Sequence, residues 1–285
     1  PGTGGESGGG SHEQFVSILT QIADALEQKN TSLPASWISG FFGSGKSSFA
    51  KLLGLALDDI KLPNNESLAE ALIKRDDTPE ANKLQEAWDR LMGLIEPIST
   101  IFDIGSASRG DEGMYKTVYR HVRLRLGYSS TPSIAYHEQL IEEDGLYDKF
   151  LQLCEEHFKK PWSKIKESRK SERAFSKIYS ELYPDEYPEM TSWLDRHQAS
   201  EYGQDANSPE EAVKGIEEML NRRAPGKTLF IVIDEMSQFI NDNKQKMLDV
   251  QSFVSALGSR LKGRVWFLVT GQERLIDINE NLVIG

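Results

Sequence analysis

Apolar residues recur with two different periods along this chain. Four short runs are apolar at nearly every position, and the stretches between them carry apolar residues at three- and four-residue intervals, which is typical of helices. The four runs are residues 37–39, 98–104, 228–233 and 265–269. Continuous apolar strands that alternate with helices predict a parallel sheet covered on both faces. The expected fold class is therefore α/β.

The same patterning predicts how the chain is organised. Residues 1–11 are rich in glycine and indicate a flexible linker or a remnant of expression. Residues 12–129 are expected to form the first part of a sheet domain, and residues 228–285 the second part. Residues 130–227 show helical periodicity only and predict a large helical insertion. Because the chain ends in an apolar stretch, we expect the second part to be truncated and the chain to be a fragment of a longer protein.

A glycine-rich loop follows the first predicted strand and precedes a predicted helix. The segment from Gly40 to Ser47 reads G-F-F-G-S-G-K-S and matches the pattern G-x-x-x-x-G-K-[ST]. Glycines let the backbone wrap around phosphate, and a helix N-terminus favours an anion. Lys46 is expected to reach the β- and γ-phosphates of ATP, and the Ser47 hydroxyl to bind Mg²⁺. The residues around this loop that are predicted to bind nucleotide are Gly40, Phe42, Gly43, Ser44, Gly45, Lys46, Ser47 and Ser48.

Two acids follow the most apolar run of the chain. Asp234 is predicted to hold Mg²⁺ through water, and Glu235 is predicted to be the general base for the water that attacks the γ-phosphate. Lys46 and Glu235 are thus predicted catalytic residues, and Ser47 and Asp234 the predicted metal ligands. The alternative interpretation is that the two acids only cap the next helix.

The run at 265–269 continues as Thr270-Gly271-Gln272 and resembles the sensor strand of additional-strand P-loop ATPases, which include the AAA+ group. That resemblance implies a 5-1-4-3-2 strand order, with the sensor strand between the other two motif-bearing strands. Thr270 is then the sensor and a further predicted catalytic residue, and Gln272 is a second candidate that would bind nucleotide, although an ordinary polar strand end is an alternative. Arg274 is a candidate arginine finger toward a neighbouring subunit. Arg109 follows the second predicted strand, where loops border the ligand crevice of a parallel sheet, and is a candidate contact to nucleotide or substrate, or a partner of Asp111.

The segment from Trp37 to Leu53 supports a narrower resemblance. Its Gly-Phe-Phe-Gly centre and the following Ser-Phe-Ala-Lys-Leu-Leu are similar to the BrxC and PglY ATPases of bacterial BREX phage-defence systems, although Ser48 stands where many relatives carry histidine. The resemblance implies an ATP-driven module of a defence complex with other subunits, possible self-association, and DNA contacted directly or through partners. A nucleotide-gated scaffold with little turnover is the alternative function.

Composition narrows these possibilities. Lys and Arg number 33 against 44 Asp and Glu, a formal charge of −11 that does not suit a general nucleic-acid coat. The single cysteine excludes an internal disulfide framework, and no apolar run is long enough to span a bilayer, so the expected location is the cytoplasm without membrane contact. Residues 159–177 are basic, with Trp162 and Phe175 interleaved. They predict either a helix that contacts DNA or an acidic partner, or a solvated helical face.

Overall fold

The computed structural model describes residues 9–39, 45–197, 206–240 and 243–271. Its sheet has four strands, all parallel, in the order β1-β4-β3-β2. The strands are β1 (Ala35–Ser39), β2 (Glu96–Asp103), β3 (Lys227–Asp234) and β4 (Val265–Gly271). Each matches one of the four predicted runs to within two residues at either end, so the α/β class and the parallel sheet are confirmed. A fifth strand is not found among the described residues.

Helices occupy most of the remaining described chain. They are α1 (Gly9–Glu27), α2 (Lys46–Leu57), α3 (Leu68–Lys74), α4 (Ala81–Met92), α5 (Ile104–Ala107), α6 (Met114–Arg125), α7 (Pro132–Glu143), α8 (Tyr147–Phe158), α9 (Trp162–Ile165), α10 (Ser171–Leu182), α11 (Ser192–His197), α12 (Pro209–Arg223), α13 (Met236–Ile240) and α14 (Lys244–Leu261). The described residues divide into two compact units. The second comprises the described parts of Tyr119–Asn207 and Gly215–Ala224, and the first comprises the rest.

The first unit contains the sheet, and alternate residues of its central strands point to opposite faces. Phe230 and Val232 of β3 and Trp266 and Leu268 of β4 lie in one buried cluster with apolar residues of α1, α2 and α4. On the other face Phe267 packs against Phe253 of α14, with ring centroids 5.7 Å apart. Both faces are therefore covered, which explains why β3 and β4 are apolar at consecutive positions.

Helix α2 lies unusually close to the sheet at Gly54. A Cβ at this position would lie 2.7 Å from Cδ1 of Ile101 and 3.0 Å from Cγ2 of Val232, which leaves no room for a side chain. Nearby, the Ser99 hydroxyl donates to the Gly54 carbonyl at 2.7 Å, and the Ser99 N–H donates to Asp58 Oδ1 at 2.9 Å. These contacts fix α2 against β2 and β3, and with it the position of the helix N-terminus.

The second unit has an aromatic core, and part of that core corrects a prediction. Residues 159–177 do not form one basic helix, because Lys159 at φ 53° ends α8 and a separate short helix α9 precedes α10. Trp162 and Phe175 are 2% and 0% exposed and belong to the core. They pack against each other with ring centroids 5.7 Å apart, so these aromatic residues do not face a nucleic acid.

Candidate functional site

Four of the residues predicted to bind nucleotide or metal, or to act in catalysis, lie where α2 begins and where β3 and β4 end. Lys46 and Ser47 form the first turn of α2, Asp234 is the last residue of β3, and Thr270 is the next-to-last residue of β4. Because β3 and β4 are adjacent and parallel, both end at the same edge of the sheet. Several predicted residues lie outside the described residues: Gly40, Phe42, Gly43, Ser44, Gln272 and Arg274.

Gly45 immediately precedes α2 in a left-handed conformation, with φ 85° and ψ 5°. Glycine adopts this conformation without steric cost, which explains the residue type. Having no side chain, Gly45 cannot cap the first-turn amides of α2, and no side-chain cap is formed by it. The amides of the first turn have no partner within their own helix, so this N-terminus suits an anion.

Asp234 is buried, at 5% exposure, and its carboxylate is hydrogen-bonded by side chains from two elements. Thr270 Oγ1 donates to Oδ1 at 2.5 Å, and Lys51 Nζ lies 3.0 Å from Oδ2. Burial raises the pKa of Asp234, but hydrogen bonds from Thr270, Lys51 and Ser47 outweigh it, and the pKa lies below its ordinary value. Asp234 is therefore a buried carboxylate that is held in its ionised form.

Glu235 has an uncommon backbone conformation for a residue with a side chain, at φ 62°. Its N–H donates to both Thr270 Oγ1 and Asp234 Oδ1, each at 3.1 Å. Its half-buried side chain accepts a hydrogen bond from the Gln238 side chain. The backbone carbonyl of Glu235 accepts from the N–H of Gln238, which starts α13. The capping interpretation thus fits the Glu235 backbone, whereas the Asp234 side chain is directed to α2 and β4.

Lys46 is buried, at 8% exposure, although it is the first residue of α2. No carboxylate within the described part of the chain forms an ion pair with it. Burying an ammonium without a counter-charge costs several kcal/mol in general, about 3–5 for a pair that loses one partner. Lys46 therefore has the position and the chemistry of a residue that receives an anionic ligand.

Two charged residues near this edge were not predicted. Lys51 pairs with Asp234, and it lies four residues after Ser47, a spacing that places both on one helix face. Asp103 ends β2 directly beside Asp234 in the sheet register and accepts the Ser106 N–H at 2.7 Å, so its side chain caps α5.

Arg109, a predicted candidate for nucleotide contact, lies exposed in the loop after α5, and its backbone N–H donates to the Glu112 side chain.

The residues at this edge fit a magnesium ion with a bound phosphate. Carboxylate and hydroxyl oxygens, as on Asp234 and Ser47, suit Mg²⁺, which usually keeps waters and takes further oxygens from a phosphate. Within the described residues, no group of three or more His, Cys, Asp or Glu forms a self-contained metal site.

No protein-family model matches the chain, and no solved structure matches it. Of the helices that the structure describes, none combines the length and the apolar character that crossing a membrane requires.

Proposed function

We propose that the first unit is a P-loop ATPase core that binds ATP with Mg²⁺ and hydrolyses it to ADP and phosphate. The observation that carries the proposal is Lys46, buried at the N-terminus of α2 and without a carboxylate partner among the described residues. An anionic ligand would supply the missing counter-charge. A polyphosphate matches both the ammonium and the helix N-terminus, and the preceding glycine pattern is the one that cradles phosphates.

The sheet supports this proposal. In the 5-1-4-3-2 order the strand before the glycine loop and the strand that ends in the acids are separated by the sensor strand. The observed order β1-β4-β3-β2 agrees with four of those five positions. Thr270, on the strand between them, hydrogen-bonds both the Asp234 carboxylate and the Glu235 N–H. A residue so connected suits the sensor role.

The proposed roles follow from the chemistry of each side chain. Lys46 would neutralise charge on the phosphates, and Ser47 and Asp234 would hold Mg²⁺, which stabilises charge on the phosphate oxygens when bound. Glu235 would accept a proton from the attacking water, a step that general bases accelerate by about 10²–10⁴-fold. Gln272 is a further candidate for the phosphate end of the site.

The test is Lys46→Ala, with Lys61→Ala as the control because Lys61 is an exposed lysine of the same unit whose partner Asp59 is also exposed. Hydrogen bonds to charged groups contribute about 1.5–3 kcal/mol, so Lys46→Ala should weaken ATP binding by about ten- to a hundredfold. Binding is measured by calorimetry, and folding by circular dichroism. Unchanged ATP affinity in folded Lys46→Ala would reject the proposed site.

A second candidate function is a nucleotide-gated switch that turns over little. The contact between Gln238 and the Glu235 side chain favours it, because that contact engages the proposed base. Steady-state phosphate release separates the two functions. An ATPase predicts measurable release that Glu235→Gln reduces by about 10²-fold or more. A switch held by Gln238 predicts tight ATP binding with negligible release, which Gln238→Ala would raise.

We also propose that the ATPase serves a BREX-like phage-defence complex, a role that the motif from Trp37 to Leu53 supports. The formal charge of −11 favours contact with DNA through partner subunits over direct binding. A mobility-shift assay with duplex DNA at physiological salt tests this part. Tight binding by the isolated chain would reject the indirect route.

A further inference from the structure

We propose that Lys51 sets the metal requirement of this site, because its ammonium competes with a divalent cation for the Asp234 carboxylate. The inference rests on the proposed function and concerns the same site. Its starting point is the ion pair between Lys51 and Asp234, and Lys51 lies outside the glycine-loop motif. Lys51 lies five residues beyond Lys46 on α2, and its Nζ is 3.0 Å from Asp234 Oδ2.

The two oxygens of Asp234 have different surroundings. Oδ1 accepts from the hydroxyl of Thr270, which is fully buried, and from the backbone N–H of Glu235. Thr270 lies in β4 and Glu235 directly follows β3, so both donors are positioned by the sheet. Oδ2 has Lys51 as its cation. The oxygen that can exchange one cation for another is therefore Oδ2.

Lys51 is suited to leave, and Lys46 is not. The Lys51 side chain is 49% exposed, so its ammonium can return to water by rotating a flexible stem. Because about half of the Lys51 side chain is already exposed to water, this pair is held less firmly than one in which both partners are buried. Lys46, at 8% exposure, has no comparable route to solvent. The same helix thus carries one lysine for the ligand and one for the protein's own carboxylate.

This arrangement has a consequence for metal binding. Without a metal, Lys51 compensates the charge of a buried carboxylate and lowers the pKa of Asp234, together with Thr270 and Ser47. A divalent cation attracts the carboxylate about twice as strongly as an ammonium at equal distance. Its arrival beside Asp234 would also repel Lys51. Metal affinity should therefore include the free energy of displacing Lys51.

The experiment removes the ammonium and retains the stem. Mn²⁺ serves as the probe, and its binding to the full chain with saturating ADP is followed by electron paramagnetic resonance, which needs no turnover. Lys51→Met should bind Mn²⁺ about two- to fivefold more tightly than the unmodified chain, because no ammonium has to be displaced. Lys61→Met, at an exposed position of the same unit, should leave the affinity unchanged.

Two further arms keep the test decisive. Lys51→Arg retains the charge and adds a forked donor, so its Mn²⁺ affinity should equal or fall below that of the unmodified chain. If Lys51→Met does not fold, a rise in affinity with Lys51→Arg overturns the proposal by itself. Unchanged or weaker Mn²⁺ binding in folded Lys51→Met overturns it while ADP binding persists. Failure of the unmodified chain to bind either ADP or Mn²⁺ rejects the proposed function as well.

Discussion

Each unit of this protein contains a buried carboxylate that faces a basic side chain, Asp234 in the first and Glu138 in the second. Their exposures are similar, 5% and 0%. Glu138 accepts the Ser129 N–H at 2.6 Å and the Trp162 indole N–H at 2.7 Å, and Arg223 lies 3.5 Å away. All of its hydrogen-bond donors are held by the core of the second unit.

The basic partners differ more than the carboxylates do. The Arg223 guanidinium lies 3.4 Å from the ring centroid of Tyr128 and 4.9 Å from that of Tyr147, and its Nε donates to Glu142 at 2.6 Å. Its side chain is 12% exposed, whereas that of Lys51 is 49% exposed. Arg223 is thus fixed by contacts with two aromatic rings and with Glu142, whereas Lys51 is held by its ammonium at Asp234 and has a half-exposed side chain.

The pKa values reflect this contrast. Burial raises the pKa of Glu138, and Arg223 with the surrounding donors opposes the shift without overcoming it. The pKa of Asp234 is lowered, because its donors outweigh burial. A carboxylate surrounded by fixed partners serves the fold of its unit. Under the proposed function, Asp234 has one partner, Lys51, that a metal ion can replace, whereas Arg223 stays beside Glu138 as part of the core.

The largest effect should come from breaking the fixed pair. Arg223→Met leaves Glu138 buried without its cation and should lower the free energy of unfolding by about 3–5 kcal/mol. Arg222→Met is the matched control, because Arg222 pairs with the half-exposed Glu143, and its loss should cost less than about 1 kcal/mol. Urea unfolding followed by circular dichroism measures both. Equal losses would remove the contrast between enclosed and exposed pairs.

A smaller effect should follow at the fixed side of Asp234. Thr270→Val removes a hydroxyl that donates to Asp234 and accepts from Glu235, and should cost about 1–3 kcal/mol of stability. Thr270→Ser keeps the hydroxyl and should retain most of the stability. The same unfolding assay applies. If Thr270→Val were neutral, Oδ1 of Asp234 would be no more firmly held than Oδ2.

The smallest effect should be a dependence on pH. Because the pKa of Asp234 is lower in the folded chain than in the unfolded chain, its contribution to stability is complete above the unfolded value, about 3.9. The contribution is lost as pH falls from there through the folded pKa. Unfolding free energies of the unmodified chain and Asp234→Asn, measured between about pH 6 and pH 3, should differ in slope only below about pH 4. Parallel curves would show that Asp234 is not preferentially ionised.

Local patterns predicted much of this structure. Apolar runs located the four described strands, whereas the place of β4 between β1 and β3 was implied by the resemblance to additional-strand ATPases and is the order observed. The apolar pattern did not single out helix α3, although Ser67 and Glu70 form a capping box at its start. The prediction of one helix over 159–177 is wrong, because Pro161 precedes a new helix, α9.

Long-range partners were harder to predict. The resemblance to additional-strand ATPases implied that the strand of Thr270 lies beside the strand of Asp234, and a 2.5 Å hydrogen bond joins the two side chains. Lys51 belongs to no sequence motif, and it reaches Asp234 only because of the way in which α2 is oriented on the sheet. That orientation depends on the close approach of α2 to the sheet at Gly54, which no pattern of apolar residues reveals.

Under the proposed function, the backbone conformation of Glu235 places thermal stability and ATP hydrolysis in opposition. At φ 62° a residue with a Cβ gives up about 1–2 kcal/mol relative to glycine. A library randomised at position 235 and sorted only by heat resistance should therefore enrich glycine and asparagine, which tolerate this conformation. The same library sorted by phosphate release should return glutamate. The residue that does the chemistry would then be one that a search for stability alone discards.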